Sequence, residues 1–165
     1  MYAIRTGDKP MVQILLDNGA YVRTYVRAGL TPLMIAVARG RTEIVEMLIA
    51  SGAGVNTRTA EGDTALIFAA IYGHTETAKV LLAHGADVDV REANGITALM
   101  MAADAGNLGL VQALLDKGAD VNTTTTSGES AWVLAADKGY ISIVRLLKAA
   151  GAQEPPDYES RRDIV

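Results

Sequence analysis

The sequence predicts an all-α solenoid, a stack of helix pairs in which a turn projects between one pair and the next. Two observations support this prediction. Three separate series of glycines share one spacing of 33 residues, and apolar segments of helix length recur between them at the same spacing. No insertion interrupts any series, so we interpret each stretch of 33 residues as one structural unit. The series are Gly29, Gly62, Gly95 and Gly128; Gly7, Gly40, Gly73, Gly106 and Gly139; and Gly19, Gly52, Gly85, Gly118 and Gly151.

The first helix of each unit is predicted to begin at a hydroxyl side chain two residues after a glycine. There a hydroxyl oxygen accepts a hydrogen bond from a backbone N–H that the first helical turn leaves free. Pro32 follows Thr31, and proline suits the first helical position because its missing N–H would have no partner there. A short apolar segment then runs to a glycine of the second series. The predicted caps are Thr31, Thr64, Thr97 and Ser130.

The second helix of each unit is predicted from four apolar positions that form one helical stripe. Thr77 is the polar exception within this stripe. The helix is predicted to end at a glycine of the third series, and we expect Gly52, Gly85 and Gly118 to close its last turn with a positive φ. The stripe positions are 44, 45, 48 and 49; 77, 78, 81 and 82; and 110, 111, 114 and 115.

The spacing predicts one repeat domain over residues 1–153, followed by a tail over residues 154–165. The incomplete first unit lacks its turn and the start of its first helix, so the chain is either an excerpt or an array with a truncated cap. In this unit we expect Asp8 to cap the second helix and Met11, Val12, Leu15 and Leu16 to be buried. The units are 1–24, 25–57, 58–90, 91–123 and 124–153.

The tail begins with a helix-breaking segment at Pro155 and Pro156. The last unit of a stack exposes an apolar flank that needs covering, so we expect Tyr158 or the final Ile164-Val165 to fold back over it. Two alternatives stay open. The apolar carboxyl terminus is of the kind that strand-adding domains capture, and disorder is the commonest state of such tails.

The repeated segments resemble the ankyrin repeat family. The resemblance rests on Gly29-Leu30-Thr31-Pro32-Leu33, Ala69-Ala70-Ile71-Tyr72-Gly73-His74 and Leu81-Leu82-Ala83-His84-Gly85-Ala86-Asp87-Val88, and it covers about nine tenths of the chain. It implies a solenoid of stacked antiparallel helix pairs with projecting β-turns or hairpins. One departure is systematic, because the family usually has a bridging His after Thr-Pro-Leu and apolar packing must replace that bridge here. The matching residues are Met34, Ile67, Met100 and Val133.

The charge of the chain is divided unevenly along its length. Residues 1–58 carry seven Lys or Arg and four Asp or Glu, a balance of +3, whereas residues 59–165 carry eight and fifteen, a balance of −7. We interpret this as ordinary solvated surface, with steering of a partner of opposite polarity as the alternative. Neither a signal peptide nor a membrane span is visible, so no membrane partner is expected and the cytoplasm is the expected compartment, although the sequence leaves it open.

The sequence predicts no catalytic, cofactor-binding or metal-binding site. There is no cysteine, and His74 and His84 lie at the two ends of one predicted helix, so they cannot share a metal. Asp104 and Asp137 lie one period apart, and we interpret them as part of a solvated face rather than as an acid–base dyad. No nucleophile–base pair or phosphate loop is apparent, and the negative charge without a dense basic patch argues against nucleic acid as a partner.

The resemblance implies that the chain binds another protein through a concave face, formed by the turn tips and the outer surface of the first helices. We expect a chain that is monomeric on its own, and an alternative function is a regulatory or inhibitory subunit or effector that blocks the active site of a partner enzyme. The candidate partner-binding residues are Tyr25, Arg27, Leu30, Arg39, Arg58, Glu61, Asp63, Ile71, Tyr72, Arg91, Asn94, Ile96, Asp104, Asp137 and Lys138.

These candidate positions differ from unit to unit while the framework repeats, which is the best functional signal in the sequence. Tyr and Arg are the residue types that most often dominate the energy of an interface. We therefore predict a hot spot centred on Tyr72 and flanked by Arg39, Arg58 and Ile71. The alternative is that Tyr72 packs between neighbouring units and contributes to folding alone.

Overall fold

A computed structural model describes residues 1–25, 29–156 and 158 of the chain, and in this part the fold is all-α, as predicted. Every unit supplies two helices, a shorter first helix and a second helix of nine residues. Ten helices are described in these ranges. They are α1 Tyr2–Thr6, α2 Lys9–Asp17, α3 Pro32–Ala38, α4 Thr42–Ala50, α5 Ala65–Ile71, α6 Thr75–Ala83, α7 Ala98–Asp104, α8 Leu108–Asp116, α9 Ala131–Asp137 and α10 Ile141–Ala149.

The helices stack in two rows. The first helices α1, α3, α5, α7 and α9 each pack on the next, and the second helices α2, α4, α6, α8 and α10 form a parallel row behind them. Alanines such as Ala69 and Ala102 are fully buried between the first helices, and their small side chains let those helices approach closely. One continuous apolar core therefore runs the length of the stack.

The predicted caps hold the ends of the helices. The hydroxyl of Thr64 accepts a hydrogen bond from the backbone N–H of Ile67, and the other three predicted hydroxyl caps make the same bond in their own units. Asp8 caps α2 in the incomplete unit, as expected. The φ angles of Gly52, Gly85 and Gly118 are 88°, 80° and 83°, so the predicted left-handed closure is confirmed at all three.

Apolar packing fills the place of the family's bridging histidine. Met34, Ile67, Met100 and Val133 are all buried in the row of first helices. The polar exception in the second-helix stripe is also accounted for, because the hydroxyl of buried Thr77 shares a 2.8 Å hydrogen bond with that of Thr42 in the preceding unit. The neighbouring units are thus joined by apolar contact and by isolated polar links.

The expected burial of the α2 stripe is wrong for two of its four residues. Val12 is buried and Leu16 is partly buried, but Met11 and Leu15 are 45% and 42% exposed. In the later units the equivalent positions are covered by the second helix before them, and α2 is the first helix of its row among the described residues. The repeat spacing identified the positions but did not account for the missing neighbour.

Candidate protein-binding surface

The turn tips between the units form a hydrogen-bonded row. Each described tip is closed on itself, for example by the bond from the Glu92 N–H to the Ile96 carbonyl at 3.0 Å. Consecutive tips are also joined to each other. The N–H of Ala93 donates to the carbonyl of Glu61 at 2.9 Å, and the N–H of Thr126 donates to that of Asn94 at 2.8 Å. The exposed side chains of Glu61 and Asn94 therefore project from tips whose backbone is held by hydrogen bonds.

The side chains of Arg58 and Arg91 also join neighbouring units through hydrogen bonds. The guanidinium of Arg58 donates to the carbonyl of Arg91 at 2.6 Å, and that of Arg91 donates to the carbonyl of Thr124 at 2.7 Å. Each bond spans 33 residues, so each arginine reaches its own equivalent position in the next unit. This use of the two side chains was missed by sequence reasoning, although the recurrence of Arg at one period was visible. Both arginines stay exposed, but each guanidinium already donates a hydrogen bond to a backbone carbonyl of the next unit.

A cleft lies where the first helices of three successive units meet the turn before α3. We call it the Tyr72 cleft, after the residue at the end of α5. It brings together Tyr72 and Arg39, which occupy the same position in consecutive units, with Leu30 of the turn. The described lining consists of Arg5, Leu30, Met34, Ile35, Ala38, Arg39, Phe68 and Tyr72.

The rings in the cleft are stacked. Phe68 lies on α5 and Tyr72 directly follows that helix; their ring centroids are 6.4 Å apart, and the two planes differ by 7°. The imidazole of His74 is also stacked with Tyr72, with 6.4 Å between the ring centroids. Tyr72 nevertheless keeps 54% of its surface exposed. The neighbouring rings therefore hold its orientation, and its exposed surface is open to contact.

Other candidate residues of the same predicted hot spot and its surroundings lie outside the cleft lining. Tyr25 is 65% exposed beside the turn, and Ile71 is exposed at the last position of α5. Arg58, which was predicted to flank Tyr72, bonds to the tip row instead. Arg27 lies outside the described residues. The structure thus brings Arg39 together with Tyr72, whereas Arg58 is engaged by the tip row and Ile71 is not part of the cleft lining.

The apolar candidates at the turn tips are less exposed than the sequence suggested. As apolar candidates for the partner-binding surface, Leu30 and Ile96 are predicted to be exposed, but both are partly buried and pack against the core. An apolar side chain at this position anchors the tip to the first helix that follows it. Leu30 still lines the Tyr72 cleft, so it combines this anchoring role with a place on the candidate surface.

Asp63 occupies a crowded, acidic turn tip. Its side chain is partly buried and accepts a 3.4 Å hydrogen bond from the hydroxyl of Thr59. Burial and the nearby negative charge of Glu92 raise the pKa of this carboxyl above its usual 3.8; the charge of Glu61 adds to the rise and the Thr59 bond opposes it. The ionised form of Asp63 is therefore disfavoured in the folded protein.

The charged candidates at the far end of the first-helix row are paired. Asp104 forms an ion pair with Lys138 of the next unit, with 3.5 Å between the carboxylate oxygen and the ammonium nitrogen. Asp137 accepts a 2.9 Å hydrogen bond from the hydroxyl of Tyr158. Each carboxylate therefore has its own partner, an arrangement that suits a structural role better than an acid–base dyad.

The expected tail contact involves one described residue. Tyr158 is 5% exposed and meets the ring of Trp132 edge-on, with 4.8 Å between the ring centroids. Lys148 lies over the same indole ring at 5.3 Å and also pairs with Glu154. Ile164 and Val165, the other candidates for this contact, lie outside the described residues.

The recognition face, meaning the turn tips together with the exposed side of the first helices, thus divides into two halves. Around α3 and α5 it carries an open cleft with exposed aromatic and cationic groups, and around α7 and α9 its charges are paired internally. Among the described residues, no group of three His, Cys, Asp or Glu side chains is placed to hold a metal ion. No described helix is long and apolar enough to cross a membrane.

The sequence matches a known protein family. A family model described as ankyrin repeats (3 copies) matches residues 1–92 and 85–156, which together span nearly the whole chain. A comparison with curated proteins finds no match. The matched ranges include every described helix and the whole recognition face.

Proposed function

Because the chain belongs to the ankyrin repeat family, we propose that it binds another protein through the recognition face and catalyses no reaction itself. Members of this family generally mediate protein–protein interaction. The observation that carries the proposal for this chain is the Tyr72 cleft, where a half-exposed tyrosine is held in place by the Phe68 ring beside the cation of Arg39. Aromatic and Arg side chains of this kind dominate many interface energies.

The scaffold around the cleft supports binding without rearrangement. The three tips that follow the cleft along the stack are closed by backbone bonds and joined to one another, and the first helices that line the cleft pack on a continuous core. A surface held in this way loses little conformational entropy when a partner docks, which favours affinity. The described lining of the cleft contains no Asp, Glu, His or Cys, so it lacks the usual general acids, bases and thiol nucleophiles.

The experiment that tests this function is affinity capture with the full chain as bait. The wild-type protein is compared with Tyr72→Ala and with Tyr21→Ala, a matched control because Tyr21 is 85% exposed and does not line the cleft. We expect one partner to be recovered in stoichiometric amount with the wild type and Tyr21→Ala, and to be depleted with Tyr72→Ala. Equal recovery with all three baits would contradict the use of this face.

An inhibitory role is a more specific form of the same proposal. If the captured partner is an enzyme, the recognition face would act by covering its active site. We expect such a partner to lose activity on addition of the wild-type chain and to keep it on addition of Tyr72→Ala. A partner whose activity is the same in the bound and free states would leave plain binding as the function.

A further inference from the structure

We infer that the partner places an acidic peptide segment with a bulky apolar side chain in the Tyr72 cleft. This inference rests on the proposed function and names the chemistry of the group that the same face recognises. It follows from three features of the described structure: two cations that form no ion pair there, an apolar lining in the same cleft, and the pairing of the charges at the equivalent positions further along the face.

The first feature is the charge of the cleft. Arg5 and Arg39 both line it, and in the described ranges neither guanidinium takes part in an ion pair or a side-chain hydrogen bond. No acidic residue is found in the described lining. A guanidinium binds a carboxylate through two parallel N–H donors, a geometry that is both strong and specific. The cleft is therefore complementary to a segment that carries carboxylates.

The second feature is the apolar part of the cleft lining. Leu30, Met34 and Ile35 contribute apolar side chains, and Phe68 and Tyr72 contribute near-parallel aromatic rings. Met34 is buried and the others are only partly covered. Burying a large side chain of the partner against this surface removes apolar area from water on both molecules. An apolar anchor between acidic residues matches both features together.

The third feature is the contrast with the equivalent positions further along the stack. Lys138 occupies the place of Arg39 three units later, and it is neutralised by Asp104. Asp137 is engaged by Tyr158. Among the described residues, the same periodic positions thus carry cations without an ion-pair partner at one end of the face and paired charges at the other. The acidic segment of the partner is therefore expected to bind at the units around α3 and α5.

Single-stranded nucleic acid also combines negative charge with groups that stack on tyrosine. The cleft favours a peptide over it for two reasons. Its described lining includes Leu30, Met34 and Ile35, which suit an apolar side chain better than a stacked base, and in that lining the cations are Arg5 and Arg39 alone. Residues 59–165 carry a balance of −7, so a long polyanion would be repelled where it extends from the cleft along that part of the stack.

The test uses fluorescently labelled short peptides and the full chain. One peptide carries Asp and Glu on both sides of a Leu-Phe pair, a second has Lys in place of the acids, and a third keeps the acids with Ala-Ala in place of Leu-Phe. An oligothymidine strand is the fourth probe. We expect the first peptide to bind more tightly than each of the others by about tenfold or more, with an affinity that falls as salt is added.

Matched variants locate the binding. Arg5→Gln combined with Arg39→Gln should weaken binding of the first peptide by about tenfold or more, whereas Arg145→Gln, at an exposed position on α10, should leave it unchanged. Circular dichroism melting shows whether each variant is folded. Binding of the Lys peptide or the oligothymidine that equals or exceeds that of the acidic peptide would overturn the inference, and so would failure of the acidic peptide to bind.

The two proposals fail in different ways. If Tyr72→Ala loses its captured partner but the acidic peptide shows no preference, the recognition face is correct and the chemistry inferred for the partner is wrong. If Tyr72→Ala keeps its partner, the face itself is wrong, whatever the peptides show. Binding of the acidic peptide that is lost in the double arginine variant and in Tyr72→Ala would support both.

Discussion

The hydroxyl of Tyr158 donates a hydrogen bond to the carboxylate of Asp137 across the end of the stack, with 2.9 Å between the two oxygens. The tyrosine ring lies edge-on against Trp132 of α9, and both aromatic residues are buried. A residue of the tail thus packs on Trp132 of the last described helix pair. We propose that this contact caps the solenoid, because a terminal unit needs a cover to remain folded in water.

The cap leads to a stability prediction. Tyr158→Ala should lower the free energy of unfolding by about 3 kcal/mol, because it removes a buried ring and leaves space against Trp132. Tyr158→Phe should cost about 1 kcal/mol, the contribution of its hydrogen bond. Urea unfolding measures both. Tyr2→Phe is the control, since that ring is exposed, and a tail deletion that leaves stability unchanged would rule out the cap.

A second prediction concerns one position that links neighbouring units. The side chain of Asn56 accepts from the Asp87 N–H and donates to the Gly85 carbonyl, both at 2.9 Å, and Asn122 makes the equivalent two bonds. Asp89 occupies the same position and accepts from the Asp120 N–H, but a carboxylate has no N–H to donate.

We therefore expect Asp89→Asn to stabilise the protein by about 0.5–1.5 kcal/mol, because its new amide can reach the next glycine carbonyl. The reverse change, Asn122→Asp, should destabilise it, since it loses a donor and sets a negative charge near a carbonyl oxygen. Thermal unfolding of both variants measures the effect. A change of the same sign in the two variants would show that the second bond is not the cause.

A third prediction contrasts two glycines with opposite backbone requirements. Gly85 has a φ of 80° with nothing within 4 Å of an added Cβ, so Gly85→Ala should cost about 1–2 kcal/mol through backbone strain alone. Gly109 lies within α8, where a Cβ would meet the Thr75 methyl at an ordinary 3.7 Å. Gly109→Ala should stabilise by about 0.5–1 kcal/mol through helix propensity. Equal effects in denaturant unfolding would contradict this account.

A fourth prediction follows from the raised pKa of Asp63. Folding favours its protonated form, so the folded state binds more protons than the unfolded state between the usual value of 3.8 and the higher folded value. The contribution of Asp63 to stability therefore falls as pH rises through this window. Asp63→Asn keeps an acceptor for Thr59 and removes the charge, so it should be more stable than the wild type at neutral pH.

The advantage of Asp63→Asn should disappear once the pH falls below 3.8, where the carboxyl is protonated in both states. Urea unfolding of the two proteins at several pH values gives the difference directly. An advantage that stays constant with pH, or a variant less stable than the wild type at neutral pH, would show that the charge of Asp63 is not unfavourable in the folded protein.

The fold was predictable because its determinants repeat. A cap such as Thr64 and a turn-closing residue such as Gly85 act within a few residues of the chain, so local chemistry specifies them, and their recurrence specifies the stack. The exposure of Met11 was not predictable in the same way, because burial depends on whether a neighbouring unit covers the position.

The candidate site was predictable only in part. One period separates Arg39 from Tyr72, so their proximity in the cleft followed from the repeat. The contacts of a long side chain did not follow from the repeat. Arg58 bonds to a backbone carbonyl one unit away instead of flanking Tyr72. Phe68 lies in the short apolar segment predicted as a first helix, and the sequence does not show that its ring lies parallel to that of Tyr72.

The most direct test of the account is the dissociation constant of the captured partner for the wild type and for Tyr72→Ala, measured by calorimetry beside their unfolding free energies. Tyr72 is half-exposed, so its loss should weaken binding by at least about 2 kcal/mol and change folding stability much less. An unchanged dissociation constant together with a clear loss of stability would contradict the account, because Tyr72 would then serve the fold and not recognition.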